Sequence, residues 1–399
     1  MERNALYYLV GNILQRSYPL LETILLTLLL PVEDFGRWTW AAGFYMGMAS
    51  LAHGGIPAAT LRYAAVERHA PLAVLHRALI SLIPWGIGGG IGLFFLSLSV
   101  PSSVRWIIWL HIPALLSTLV GETARAYLRG RLADRQILLW QLVSFSLGLF
   151  LIGILSSWYG LAGAAWGRAF QPVWSLLPIV SLLWSAFRSP PVRLIGFGRF
   201  SLRALWGNLA MEAIFILPVW FMGWHGASEA TLAYWRWATL LPFNLRSFLA
   251  QVVLYFYPLW AKSQLSPLRL YKRFLPIIHG VAIVGALFLV LLGFVWEYFP
   301  GSAYLPARPY YWLSIVVGYI WSTEALTLPN ILSAKGYIQH FSWAYLVALL
   351  LALSMYSFGG VAIQKYLVGI GLSGITAAFY GIYRMRIIST QASPEKDLG

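Results

Sequence analysis

The sequence predicts an all-α integral membrane protein with twelve transmembrane helices, arranged as two pseudo-symmetric lobes of six helices each. Three observations carry this prediction: the composition, the number of apolar segments and an internal repeat. Of the 399 residues, 59% are hydrophobic and 10% are charged, and the mean hydropathy is +0.71. Soluble chains carry about 25% charged residues, so a water-soluble globular protein is excluded.

Each apolar segment is about as long as a bilayer-spanning helix, which needs about 20 residues. Short loops connect the segments and leave no room for a soluble domain of useful size. The twelve segments cover residues 5–30, 37–60, 78–100, 105–126, 137–157, 160–185, 200–223, 231–257, 274–297, 309–331, 341–359 and 364–383.

Basic residues collect in alternate loops. Of the 28 lysines and arginines, about 20 fall on one side of the predicted topology and about four on the other. Cytoplasmic loops are enriched in Lys and Arg, so both termini are predicted to be cytoplasmic. The net charge of +15 is then mostly topological and does not indicate a nucleic-acid partner. Four basic residues lie within segments and away from their ends: Arg16, Arg168, Arg236 and Arg246.

The two halves of the chain resemble each other at offsets of roughly 200 residues, which predicts a parallel repeat. Residues 35–41 parallel residues 232–238, and residues 160–164 parallel residues 371–375. In proteins built this way the substrate site lies near the membrane midplane. The predicted domains are an N-lobe over residues 1–187, a cytoplasmic linker over 188–199, a C-lobe over 200–386 and a cytoplasmic tail over 387–399.

The first segment carries two charges at membrane depth, Arg16 and Glu22, with Pro19 between them. One charge in mid-helix costs about 2.5–3.5 kcal/mol on an insertion scale. Six positions separate the two charges by about 240° around a helix, so each is expected to find its partner elsewhere. Two interpretations remain open: a cavity wall that handles a charged substrate, or a buried ion pair with a neighbouring helix.

Four glutamates lie within segments one, four, seven and ten: Glu22, Glu122, Glu212 and Glu324. Buried carboxylates can exchange protons near neutral pH. Glu22, Glu212 and Glu324 are therefore candidate coupling residues, each with a structural role as the alternative. Glu122 is expected to pair with an arginine one or two turns along its own helix. Its role in transport stays open, as does that of Arg168, which is placed near a membrane interface.

Arginines at membrane depth indicate an anionic substrate. A guanidinium stays charged when buried, and its planar fork matches phosphate. Arg16, Arg236 and Arg246 are the candidates, with pairing to one of the glutamates as the alternative. Asn208 shares a face of the seventh helix with Glu212, four positions on. The chain has no cysteine and seven scattered histidines, so neither a metal site nor a cofactor is predicted.

Several stretches resemble polysaccharide flippases, the O-antigen and exopolysaccharide exporters of the multidrug/oligosaccharidyl-lipid/polysaccharide (MOP) superfamily. The similarity covers nearly the whole chain, and these stretches carry it. They begin with Gly11 to Leu30, Glu33–Gly36 and Gly54–Pro57 with Leu61–Tyr63, and continue with Tyr127–Arg131, Gly160–Ala164 and Tyr255–Leu259.

The resemblance implies a MATE/MOP-like fold whose first and seventh helices line a central cationic cavity. It implies that a polyprenyl-pyrophosphate-linked glycan crosses from the cytoplasmic to the outer leaflet of a bacterial inner membrane, without ATP hydrolysis. Arg16, Arg62, Arg236 and Arg246 fall where the family's cavity arginines are expected. Many relatives carry an Asp in helix seven, where the nearest acid here is Glu212. Protons or sodium ions are the candidate coupling ions, and polysaccharide polymerase or assembly proteins are the candidate partners.

Two other classes of function remain open. A drug or metabolite exporter of the same fold would show a more acidic and aromatic cavity and would not need deep arginines. A membrane polymerase or ligase would need catalytic residues on a long outer loop, and the predicted outer loops are short. The sequence therefore predicts a secondary-type transporter and not an enzyme.

Overall fold

The computed structural model describes residues 2–66, 71–190, 192, 194–295, 301–358 and 360–391, and these residues form fourteen α-helices and no strand. At some helical positions the backbone alone is described. The helices are α1 (Glu2–Leu29), α2 (Val32–Ala52), α3 (Ile56–Val66), α4 (Pro71–Ser97), α5 (Ser102–Gly130), α6 (Asp134–Trp174), α7 (Val180–Arg188), α8 (Phe197–Trp224), α9 (Glu229–Lys262), α10 (Pro267–Phe294), α11 (Arg308–Ser322), α12 (Glu324–Ala334), α13 (Ile338–Ser357) and α14 (Ile363–Gln391).

Every predicted apolar segment coincides with helix in this part of the chain, so the all-helical prediction is confirmed. Eight stretches of the described residues are long and apolar enough to cross a membrane. One of them runs over 55 residues, Asp134–Arg188, and it contains two of the predicted segments. Length and hydropathy therefore indicate a multi-pass membrane protein. The predicted side of the membrane for each terminus stays a prediction.

Prolines mark the starts of several helices. Pro31 and Pro101 precede α2 and α5 with φ near −55° and extended ψ, the conformation in which a chain enters a helix. Pro267 is the first residue of α10, where its missing N–H costs no hydrogen bond. Ser266 caps the same helix, because its side chain accepts a hydrogen bond from the Arg269 amide.

Two predicted helices are broken, and a third element folds back on itself. The second segment divides into α2 and α3 at Gly54 and Gly55, which have φ of 56° and 68°. The tenth divides into α11 and α12 at Thr323, with φ −105° and ψ −108°. Within α6, Gly160 has φ 56° and ψ −133°. A Cβ on Gly167 would lie 2.9 Å from the Ile152 Cα, so the two halves of α6 pack side by side.

The structure contains two compact units. The first comprises Met1–Glu212 and Met222–Ala233, and α5 is its central helix, packed against α2, α3, α4 and α6. Helix α1 packs along α6. Small residues allow close approach, which favours helix association in lipid. For example, a Cβ on Gly89 of α4 would lie 2.6 Å from the Ala52 Cβ of α2.

The second unit comprises Ala213–Phe221 and Tyr234–Gly399, with α14 as its central helix, packed against α10, α11, α12 and α13. Trp260 is fully buried in a cluster built from α9, α10, α12 and α14. The Tyr356 hydroxyl of α13 donates to the Ile214 carbonyl at 2.8 Å and so ties that helix to the Ala213–Phe221 segment. The domain boundaries predicted from the sequence stay a prediction.

Candidate functional site

The buried carboxylate of α1 faces a guanidinium of α6 in the first unit. Glu22 is 5% exposed, and its Oε1 lies 3.5 Å from the Arg168 Nε. Arg168 is thus the ion-pair partner of Glu22, and its placement near a membrane interface stays a prediction. The pair forms because α1 packs along α6. The ion-pair interpretation of Glu22 therefore describes its geometry.

Polar and aromatic side chains surround Arg168. Its guanidinium carbon lies 5.3 Å from the centre of the Tyr18 ring. Its Nη1 donates to the Gln171 Oε1 at 3.3 Å. Tyr18 in turn packs edge-on against Phe145. These contacts hold the guanidinium by its face and by its edge, which fixes the positive charge opposite Glu22.

The second unit has a carboxylate at a helix break. Glu324 is the first residue of α12, and its Oε1 lies 2.7 Å from the His279 Nε2. The other ring nitrogen, Nδ1, lies 2.7 Å from the Tyr319 hydroxyl. The Tyr271 hydroxyl donates to the same carboxylate oxygen at 3.4 Å. A half-buried chain of polar groups therefore crosses from α10 to the α11–α12 break.

His279 was not predicted from the sequence as the partner of Glu324. Histidines were treated only as possible metal ligands, which need clustered spacing. The described residues contain no group of three or more His, Cys, Asp or Glu that could hold a metal ion. A different sequence feature could have identified His279. An ionisable side chain inside an apolar stretch indicates a buried partner, and His279 lies within the predicted segment 274–297.

The predicted cationic residues occupy different environments. Arg246 of α9 is 9% exposed, and its guanidinium carbon lies 4.0 Å from the centre of the Phe215 ring in the second unit. Arg62 of α3 is exposed and lies 4.7 Å from the Phe200 ring centre in the first unit. Arg236 of α9 is half-buried. The side chain of Arg16 lies outside the part of the chain that the structure describes.

The remaining predicted residues lie on α8 and α5. Asn208 is exposed and Glu212 is half-buried, and their spacing of four places them on one face of α8. Glu122 pairs with Arg125 three positions on, with 2.7 Å between Oε1 and Nη1. This is the helix-surface pair expected for Glu122. Arg125 also lies over the Trp140 ring, 5.4 Å from its centre.

A second ion-pair cluster was not predicted. Arg37 of α2 donates through Nε to the Glu229 Oε1 at 2.6 Å and through Nη1 to the Asp34 Oδ1 at 3.1 Å. Gly36 permits this approach, because a Cβ there would overlap the Glu229 carbonyl. Glu229 is the first residue of α9, so the cluster fastens the start of that helix to α2 within the first unit.

No family model matches the sequence, and no curated protein matches it. Solved structures match its fold. An outward-facing multidrug resistance MATE family transporter of the MOP superfamily gives a TM-score of 0.69 at 15% identity, covering 98% of this chain and 96% of that one. An inward-facing structure of such a transporter gives 0.69 at 15% identity, with 95% and 96% covered.

A MOP superfamily transporter from Pyrococcus furiosus also matches, with a TM-score of 0.69 at 15% identity and coverage of 98% and 96%. The similarity spans nearly the full length of both chains in each case. At this level of identity the likeness establishes the fold and not the substrate. The chain therefore has the all-helical fold of the MATE transporters of the MOP superfamily.

Proposed function

We propose that the protein is a flippase that moves a polyprenyl-pyrophosphate-linked oligosaccharide from the cytoplasmic to the outer leaflet of a bacterial inner membrane, by alternating access through a cationic central cavity. The MOP fold supports a secondary-type transporter as the class. The observation that favours an anionic substrate is Arg246, a buried arginine of α9 whose guanidinium stacks on Phe215 at 4.0 Å.

The chemistry of the stacked arginine suits a pyrophosphate. An aromatic ring contacts the flat face of a guanidinium and stabilises its charge by about 0.5–2 kcal/mol. The N–H donors point outward from the edge of the plane, in a fork that matches phosphate oxygens. The ring thus holds the guanidinium in place. A multiply charged lipid headgroup needs such fixed positive charge, because an isolated charge is very costly in a low-dielectric medium.

The remaining predicted residues complete the proposed path. Arg16, Arg62, Arg236 and Asn208 are proposed to bind the pyrophosphate and sugar. Glu22, Glu212 and Glu324 are proposed to couple transport to protons or sodium ions. Polysaccharide polymerase or assembly proteins are the proposed partners on the outer side.

A transport assay with the purified protein tests this function. Proteoliposomes would contain a fluorescent short-chain polyprenyl-pyrophosphate saccharide, and a membrane-impermeant quencher would report its movement between leaflets. Arg246→Ala is expected to lower the flipping rate at least tenfold, because a charge-assisted hydrogen bond contributes about 1.5–3 kcal/mol. Arg246→Lys is expected to restore little, because lysine lacks the planar fork.

Arg269→Ala is the matched control, because Arg269 is an exposed arginine in the first turn of α10. Arg105 is a poor control, since it donates to the Ser97, Leu98 and Val100 carbonyls at 3.0–3.2 Å and so caps the end of α4. Flipping at the wild-type rate by Arg246→Ala, in protein that is folded and inserted, would contradict the proposal.

A MATE-like exporter of drugs or metabolites is the second candidate, because multidrug resistance transporters are among the solved structures of this fold. The Pyrococcus furiosus transporter is described as having a binding pocket of reverse polarity, so pocket charge differs between members of the fold. The same proteoliposomes would be loaded with an organic cation. Uptake of the cation without any flipping of the glycan lipid would favour the exporter.

A further inference from the structure

A cavity lies beside the linker that precedes α8. It has a volume of about 730 Å³ and is lined by Arg77, Val192, Leu194, Ile195, Gly196, Gly198 and Arg199. All of these residues belong to the first unit. This volume falls within the roughly 300–1,000 Å³ range of small-molecule sites. We call it the linker cavity.

The walls of the linker cavity are fastened at both ends. The Tyr63 hydroxyl donates to the Ile195 carbonyl at 2.6 Å, and its ring packs edge-on against Phe197 at 5.4 Å between centroids. The His76 Nδ1 donates to the Ser189 carbonyl at 2.7 Å. The linker is therefore held against α3 and α4, and the shape of the cavity follows from these contacts.

Among the described lining residues, the two with charged side chains are both arginines. Arg77 lies in the second turn of α4 and Arg199 in the first turn of α8, and both are exposed. Within the described residues neither takes part in an ion pair, and none of the described lining residues is acidic. Two guanidinium groups at one cavity match the oxygens of a phosphate.

The apolar wall of the cavity indicates contact with lipid. Ile195 is 87% exposed, and Trp184 and Phe187 of the preceding helix α7 are 59% and 54% exposed. Tryptophan side chains such as that of Trp184 collect at the level of lipid headgroups. The linker is predicted to be cytoplasmic, so these residues would lie at the inner membrane surface. An anionic group that binds at this surface beside apolar side chains is expected to belong to a lipid.

We propose that the linker cavity binds the phosphate group of a membrane lipid, with Arg77 and Arg199 as its ligands and the acyl or polyprenyl chain beside Leu194 and Ile195. Two lipids carry this chemistry, a resident anionic phospholipid and the pyrophosphate carrier of the proposed substrate. Basic pockets on the cytoplasmic side of membrane proteins bind lipid headgroups by the same chemistry. The site does not depend on the proposed function, because this chain presents the same two arginines whichever substrate it carries.

Lipid binding can be measured on the full-length protein in a neutral detergent by native mass spectrometry. The probes are phosphatidylglycerol, undecaprenyl pyrophosphate and free inorganic pyrophosphate. Saturable binding of one lipid per protein is expected, and the tighter of the two lipids identifies the source of the phosphate. Binding of neither lipid would overturn the proposal. So would inorganic pyrophosphate binding as tightly as the lipids, because the apolar wall would then contribute nothing.

Variants separate the cavity from general surface charge. Arg77→Ala and Arg199→Ala are each expected to weaken lipid binding by roughly tenfold, the effect of losing one charge-assisted hydrogen bond. Arg188→Ala is the matched control, because this exposed arginine at the end of α7 stacks on Trp184 at 4.6 Å and does not line the cavity. An equal loss in Arg188→Ala, or no loss in the other two, would overturn the assignment.

Gly198→Trp tests the cavity without removing either charge. A Cβ at Gly198 meets nothing within 4 Å, so the backbone should accept the substitution while the indole fills the cavity. Lipid binding is expected to fall at least tenfold. Retention of wild-type binding would show that the lipid sits elsewhere. This measurement is independent of transport, so a failure here is distinguishable from a failure of the flippase proposal.

Discussion

The Glu22–Arg168 pair allows a quantitative test of how the first unit holds charge within the membrane. The perturbation is a double-mutant cycle of Glu22→Gln, Arg168→Met and the two together. At the observed separation of 3.5 Å, two unit charges attract by about 5 kcal/mol at an effective dielectric constant of 20. Desolvation offsets much of this attraction, so the intact pair contributes little net stability.

Removal of one partner costs more stability than the intact pair contributes, because the other charge is left buried without its partner. Each single substitution is expected to lower the free energy of unfolding by about 3–5 kcal/mol. The double variant removes both charges and should recover most of that loss, since a buried pair replaced by neutral side chains of similar volume is often neutral in stability. The coupling energy is the sum of the two single losses less the loss of the double variant, so it should exceed the roughly 0.5–3 kcal/mol usually found for residues in contact.

The assay is equilibrium unfolding in detergent, followed by the fluorescence of the twenty tryptophans. Glu122–Arg125 is the matched control pair. Its atoms are closer, at 2.7 Å, but the side chain of Glu122 is 36% exposed, against 7% for Glu22. Solvent screening should limit Glu122→Gln to below about 1 kcal/mol. Strictly additive effects of Glu22→Gln and Arg168→Met would refute the reasoning, because additivity means that the two groups do not interact.

Three other predictions concern separate parts of the chain. His279→Ala is expected to lower the free energy of unfolding by about 1–3 kcal/mol, because Glu324 loses the shorter of its two described hydrogen bonds; thermal unfolding measures this loss, and unchanged stability would contradict the contact. Arg37→Ala is expected to cost less than about 1 kcal/mol, because the Arg37 side chain is 35% exposed; a loss above 2 kcal/mol in the same assay would contradict this. Gln264 is an exposed site whose replacement spares the Ser266 cap. The introduced thiol of Gln264→Cys should be labelled in inside-out vesicles only, whereas that of Val361→Cys should be labelled from outside intact cells. The reverse pattern would contradict the predicted topology.

Most of the fold could be predicted because hydropathy and length are local properties of the chain. Each of the twelve apolar segments carries its own signal, and basic loops add the predicted orientation. The helix breaks carry no comparable signal. Thr323 interrupts an apolar run without altering its composition, and Gly54 and Gly55 also suit close helix packing. Backbone conformation at such positions depends on contacts with other helices, which hydropathy does not report.

The partners of the buried acids could be predicted only in part. Charge balance requires a partner for Glu22, and Arg168 was one of two arginines within the membrane segments of the N-terminal half. The position of Arg168 near one end of its segment argued against this pairing. The packing of α1 along α6 brings the two residues together, and it is a long-range feature that local sequence does not report. The partner of Glu324 lies 45 residues away on α10. Local spacing, which predicted the Glu122–Arg125 pair, has no access to such contacts.

The two buried acids have partners of different chemistry, and this difference bears on ion coupling. Arg168 remains charged at any physiological pH, so the negative charge of Glu22 faces a permanent positive charge. His279 is an imidazole, whose two ring nitrogens can serve as hydrogen-bond donor and acceptor. It lies between the Tyr319 hydroxyl and the Glu324 carboxylate, each within 2.7 Å of a ring nitrogen. A proton can pass along such a chain without leaving an isolated charge at the α11–α12 break. Under the proposed coupling, the second unit therefore offers a hydrogen-bonded chain along which a proton can move, whereas Glu22 of the first unit faces a partner that stays charged.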